Sequence, residues 1–84
     1  MLRLLYFARL RESLGLSSEQ IDLPAGVVSV ADLMAWLAAR GGVWQREFAG
    51  NRLLRAAVNQ DLVTETAAIG PGDEIAFFPP VTGG

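Results

Sequence analysis

Ser29-Val30-Ala31-Asp32-Leu33-Met34-Ala35-Trp36-Leu37-Ala38-Ala39-Arg40-Gly41-Gly42 carries the strongest helical signal in the sequence. Val30, Leu33, Met34, Leu37 and Ala38 fall on one stripe at helical spacing, the pattern of a helix with one buried face. Ser29 precedes the stripe as an N-cap, and Asp32, three residues later, supplies a carboxylate variant of the capping box. Gly41-Gly42 offers the left-handed exit that ends such a helix after Arg40. Trp36 lies off the centre of the stripe and is expected at its edge.

The flanking segments read as strands. Leu2 to Ala8 places Leu2, Leu4 and Tyr6 on one side and Arg3, Leu5 and Phe7 on the other, both mostly apolar, so one face is expected buried and the other partly covered. Arg9 to Gly15 is a short polar connection with about one helical turn, and Ser18 to Leu23 alternates cleanly before Pro24-Ala25-Gly26 ends it. After the helix, Val43 to Ala49 is a short helical or turn segment closing at Gly50-Asn51. Leu54 to Asn59 is a strand, with a turn at Gln60-Asp61 and a short pairing segment at Leu62-Val63-Thr64. Gly70-Pro71-Gly72-Asp73 has the residue order of a type II turn and delivers a last strand, Glu74 to Phe78, which Pro79-Pro80 terminates because neither proline can donate to a ladder. One amphipathic helix among about five strands makes an α+β domain: a mixed sheet with the helix packed across one face, the first and last strands placed to run parallel at its centre.

Composition removes most chemistry. The 84 residues contain no Cys and no His, which excludes disulfides, thiolate nucleophiles and the commonest general base and metal ligands. No phosphate-binding or dinucleotide loop follows a strand. Net charge is −2 and all seven basic residues are Arg, scattered from Arg3 to Arg55, which argues against nucleic acid as a partner. Hydrophobic residues make up 51% of the chain, yet no run reaches the length of a membrane span, so a soluble, cytoplasmic protein is expected. Surplus apolar surface points to a protein partner. Asp73-Glu74 is an adjacent acidic pair, but neighbouring strand positions face opposite ways, which makes it a poor acid/base couple.

The remaining feature is Phe77-Phe78-Pro79-Pro80-Val81-Thr82-Gly83-Gly84. A buried-type strand runs into two prolines that redirect the chain, and the last four residues extend about 13 Å. Glycine has no Cβ, so the Gly84 carboxylate can pass a narrow channel and be activated there by a partner, for instance by adenylation. Residues 1–80 are read as the folded domain and residues 81–84 as a flexible tail.

Ala57-Val58-Asn59-Gln60, Gly72-Asp73-Glu74, the run from Ile75 to Gly84 and the N-terminal Phe7-Ala8-Arg9-Leu10-Arg11-Glu12 together resemble the small sulfur-carrier subunits of molybdopterin synthases, within the ubiquitin-like sulfur carriers. The resemblance runs end to end and is weakest from about Val43 to Arg55. It implies a ubiquitin-like β-grasp fold and a carrier that is not catalytic alone. An ATP-dependent adenylating enzyme would activate Gly84, a sulfur donor protein would convert it to a thiocarboxylate, and the large synthase subunit would use that sulfur to build the dithiolene of molybdopterin, with no cofactor bound to the carrier itself. It further implies that Val81, Thr82 and Gly83 thread the partner channel and that Phe7, Leu62 and Phe78 form an exposed docking patch. Arg11, Asp73 and Glu74 are candidates for electrostatic docking. Related alternatives are a carrier for thiamine synthesis or tRNA thiolation, a ubiquitin-like protein modifier, and a pure binding module. The chain has no Lys, so a modifier of this sequence cannot build chains on itself through lysine.

Overall fold

The computed structural model describes residues 1–49 and 54–80. In chain order the elements are β1 (Leu2–Tyr6), α1 (Ala8–Leu14), β2 (Ser18–Ile21), α2 (Val30–Ala38), α3 (Val43–Phe48), β3 (Arg55–Val58), β4 (Asp61–Val63) and β5 (Glu74–Phe78). The five strands form one sheet in the order β2-β1-β5-β3-β4. β1 and β5 run parallel at its centre, in register from Arg3 opposite Glu74 to Tyr6 opposite Phe77, and every other pairing is antiparallel.

Period-two alternation sorts the strand residues to the two faces. Leu2, Leu4, Tyr6, Ile75, Phe77 and Ala56 point inward and are buried against Val30, Leu33 and Leu37 of α2, with Leu10 and Phe48 closing the ends of the core. Tyr6 sits among rings: it stacks on Phe77 and meets Trp44 and Phe48 edge-on. The expected two-layer arrangement is therefore present, with α2 as its longest helix and the expected Ser29 cap, whose Oγ accepts from the Asp32 N–H at 3.2 Å. The carboxylate arm differs from a regular capping box. Asp32 Oδ2 accepts from Val28 N–H at 3.0 Å, one residue beyond the cap, and so ties the incoming loop to the helix.

Several boundaries depart from the sequence reading: β2 ends at Ile21 rather than Leu23 and α2 at Ala38 rather than Arg40, and the departures at β1, α1 and the β3–β4 turn have clear causes. β1 stops at Tyr6, because the chain turns at Ala8 into α1, which is a two-turn helix rather than a single turn and ends at left-handed Gly15. The β3–β4 turn is Asn59-Gln60, not Gln60-Asp61; both residues have positive φ (51° and 73°), as a tight two-residue hairpin requires. Asn59 is chosen by its amide, which accepts from Glu74 N–H through Oδ1 and donates to Asp73 Oδ1, pinning the hairpin to the start of β5. The turn at Gly70-Pro71-Gly72-Asp73 is as expected, with Gly72 at φ 89° and the Asp73 N–H donating to Gly70 O.

Arg40 fastens the β2 edge to the helical layer. Its guanidinium lies 4.9 Å from the Trp36 ring and 4.4 Å from the Trp44 ring, and it donates to both oxygens of Glu19 at 2.9 and 3.1 Å. Glu19 Oε2 also accepts from the Tyr6 hydroxyl at 2.9 Å. Burial alone would raise the Glu19 carboxyl, but the hydrogen bonds from Arg40 and Tyr6 and the Arg40 charge outweigh it and hold the group below its usual value of 4.5. Burial in turn pushes the Tyr6 phenol upward, reinforced by Glu19, so it stays a neutral donor. A carboxyl lowered in the folded state contributes stability that is full above its unfolded value and lost as pH falls through the folded one. Glu19→Gln should therefore cost about 1 kcal/mol at pH 7, and the gap to the wild-type denaturation midpoint should narrow progressively as pH falls below the usual value of 4.5. A gap independent of pH would show that the charge on Glu19 is irrelevant.

Candidate functional site

α2 covers only the inner face of the sheet, which leaves the other face open. Across it runs a lateral row set by the strand register: Leu5 opposite Ala76, Ala76 opposite Ala57, Ala57 opposite Leu62. Strand spacing makes that row about 14 Å wide. Its middle is two alanines and its flanks are leucines, so the surface dips along β5 and β3 and rises at both sides. One step further along β5, Phe78 lies opposite Arg55. Leu62 is 70% exposed, the most exposed leucine among the described residues, while Leu5, Ala57, Ala76 and Phe78 are half-buried.

Phe7 extends this surface. It is extended (φ −123°, ψ 158°), its N–H donates to Phe77 O at 3.2 Å, and its side chain is 45% exposed. The alternation that turns Tyr6 inward turns Phe7 outward, beside Phe78. Phe7, Phe78 and Leu62 thus share one face, with the two phenylalanines adjacent and Leu62 at the far flank. Pro79 and Pro80 follow, half-buried, and carry the chain off the end of the central strand next to Phe7. Val81, Thr82, Gly83 and Gly84 lie outside the described residues.

The charged candidates separate. Arg11 is exposed on α1, which starts at the same end of the sheet as the Pro79–Pro80 exit. Asp73 and Glu74 lie at the opposite end of β5, about 13 Å away along the strand. Both have local work: the Asn59 side chain and the Gly70 N–H bind Asp73 and hold its carboxyl below the usual range, and Glu74 lies 3.8 Å from Arg3. The sequence reading puts Leu5 on the outer side of β1 but gives Leu5, Ala57 and Ala76 no part in the site; their strict alternation with buried Leu4, Ala56 and Ile75 is the available signal. Among the described residues no group of three or more Asp or Glu is placed to hold a metal ion, and no helix is long and apolar enough to cross a membrane.

The chain resembles known proteins in both sequence and fold. The sequence is 40% identical over 84 residues, the whole of both chains, to the molybdopterin synthase sulfur carrier subunit of Escherichia coli. The fold superposes on the crystal structure of small archaeal modifier protein 1 of Haloferax volcanii with a TM-score of 0.78 at 26% identity, covering 99% of this chain and 98% of that one. It also matches a chain in the complex of subunits 1 and 2 of molybdopterin-converting factor from Helicobacter pylori, with a TM-score of 0.65 at 20% identity over 99% and 97% of the two chains, a likeness of fold. These neighbours identify the sheet and its single long helix as the ubiquitin-like β-grasp. Residues 4–84 match the ThiS family, and the chain belongs to it.

Proposed function

We propose that this protein is the sulfur-carrier subunit of a molybdopterin synthase, working through the Gly84 carboxylate. The observation that carries the reading is the course of β5: the central strand crosses the open apolar face and leads through Pro79-Pro80 directly toward Val81-Thr82-Gly83-Gly84. A partner that covers the face therefore receives the tail. The full-length 40% identity to a subunit of that name supports the pathway.

The chemistry needs little from the body of the carrier. In an ATP-dependent activating enzyme, a Gly84 carboxylate oxygen attacks the α-phosphorus of ATP and pyrophosphate leaves. The terminal sulfur of a persulfide on a donor protein then adds at the acyl carbon and AMP departs, forming an acyl disulfide. A second thiolate attacks the donor sulfur, the S–S bond breaks, the donor sulfur and that thiol become a disulfide, and the thiocarboxylate leaves. Its sulfur is passed on in the large synthase subunit. Each step occurs in a partner's pocket, and the carrier contributes a docking face and a reach. Val81, Thr82 and Gly83 occupy the channel, where small side chains let the partner backbone approach closely. The likeness to an archaeal modifier protein favours a second reading, transfer of the same activated Gly84 to lysines of other proteins; conjugates on a partner lysine, detected by peptide mapping, would establish it.

Two outcomes are expected. Leu62→Ala should change stability by less than about 0.5 kcal/mol, since the side chain is mostly in solvent, yet it should weaken binding to the large subunit; Phe78→Ala should weaken it by roughly 2 kcal/mol if that ring is a hot spot. Titration calorimetry with the large subunit reads both, and unchanged affinity in both would place docking elsewhere. Deleting Gly84 should abolish sulfur transfer in a reconstituted assay while the thermal midpoint stays at the wild-type value. Transfer that survives the deletion would rule out Gly84 as the acceptor.

A further inference from the structure

Ala8 has a φ of +55°, in the left-handed region where the Cβ of an L-residue crowds the following carbonyl. Elsewhere among the described residues positive φ falls on glycine, at Gly15, Gly26, Gly41, Gly42 and Gly72, or on the hairpin pair Asn59-Gln60, whose turn type demands it. Ala8 is neither a glycine nor a hairpin residue. Its methyl makes no hydrogen bond that eases the conformation, as a short amide or carboxylate can. Such a residue persists only where its surroundings over-determine it, and these positions cluster where function needs a fixed geometry.

The surroundings of Ala8 have that character. Tyr6 N–H donates to Ser17 O at 2.9 Å, Phe7 N–H to Phe77 O at 3.2 Å, and Arg11 N–H to Phe7 O at 3.3 Å, while buried Tyr6 and Leu10 anchor the chain on either side. Phe7, between those anchors, is 45% exposed, so its ring is not held in place by burial in the core. The backbone sets the direction in which the Phe7 Cα–Cβ bond leaves the chain. An alanine in this conformation has few neighbouring wells to visit, whereas a glycine has many.

We propose that Ala8 is a positioning residue: the left-handed corner it makes between β1 and α1 fixes Phe7 on the open face beside Phe78, ready for the partner. The inference rests on the docking role proposed for that face. A rigid corner lowers the ordering cost of association, because the ring is already where the partner needs it. Glycine at this position relieves the crowding and loses the rigidity. A D-alanine relieves the crowding and keeps it, since positive φ is the natural region of a D-residue.

Total chemical synthesis of the 84-residue chain allows the comparison. Wild type, Ala8→Gly, Ala8→D-Ala and Phe7→Ala would be measured for thermal midpoint and for affinity to the large synthase subunit. Ala8→Gly should keep or raise the midpoint and lose roughly three- to tenfold in affinity, and Ala8→D-Ala should raise the midpoint and bind within about twofold of wild type. If Phe7→Ala weakens binding but Ala8→Gly does not, or if the D-alanine chain binds as poorly as the glycine chain, Ala8 does not position the ring. An affinity loss in Ala8→Gly that follows a loss of folded structure also overturns the proposal. If Phe7→Ala binds like wild type, the docking role of the face is itself wrong and the inference falls with it.

Discussion

The parallel pairing of β1 with β5 is the constraint on which the rest of the molecule depends. Parallel neighbours cannot be joined by a tight turn, so nearly the whole chain between Tyr6 and Glu74 becomes the connection, and it must cover the sheet as it travels. α2 lies over the inner face and buries Leu2, Leu4, Tyr6, Ile75 and Phe77. The same pairing aligns the ends of the two strands. Where β1 turns at Phe7, β5 leaves through Pro79, so an exposed ring and the root of the tail arise at one place from residues some seventy positions apart.

With 84 residues there is one helix long enough to cover a sheet face, and the second face stays open. An open face of Leu5, Ala57, Ala76, Leu62 and Phe78 is a liability in a lone domain and an advantage in a subunit. The molecule limits the liability by placing alanines at the middle of the face and by flanking it with Arg3, Arg55 and Gln20, all exposed. Stability comes from the other side, where the Tyr6, Trp44, Phe48 and Phe77 rings pack together and the Arg40 guanidinium is held between two indoles and a carboxylate. That separation lets the open face be shaped for a partner without disturbing the core, and in the proposed function the chemistry falls to the tail, which needs neither Cys nor His.

Much of this was legible in the residues. Ser29 and the Val30-to-Ala38 stripe specify α2, Pro79-Pro80 ends β5, and the two apolar sides of Leu2 to Phe7 announce a strand covered on one face and half-covered on the other. What escaped was non-local. Nothing near Glu19 in sequence indicates that Arg40, 21 residues away, will reach it, and Trp36 and Trp44 read as ordinary apolar residues until the fold brings Arg40 between them. Local pattern carries β1 on to Ala8, because it cannot reveal a positive φ at an alanine. Asn59 does not stand out as a turn residue for a related reason: its role depends on Asp73 and Glu74, which belong to a different segment. Phe7, Leu62 and Phe78 were singled out by resemblance to a family, whereas Leu5, Ala57 and Ala76 needed the strand register.

The central claim is that Gly84 carries sulfur. Its most direct test is high-resolution mass spectrometry of the C-terminal peptide of protein purified from cells that express its activating enzyme, with fragment ions separating the tail from Met1 and Met34, whose oxidation adds nearly the same mass. Sulfur replacing one oxygen on Gly84, and on no other residue, is the expected result. A plain carboxylate on Gly84, from cells whose activating enzyme loads a known carrier, would contradict it.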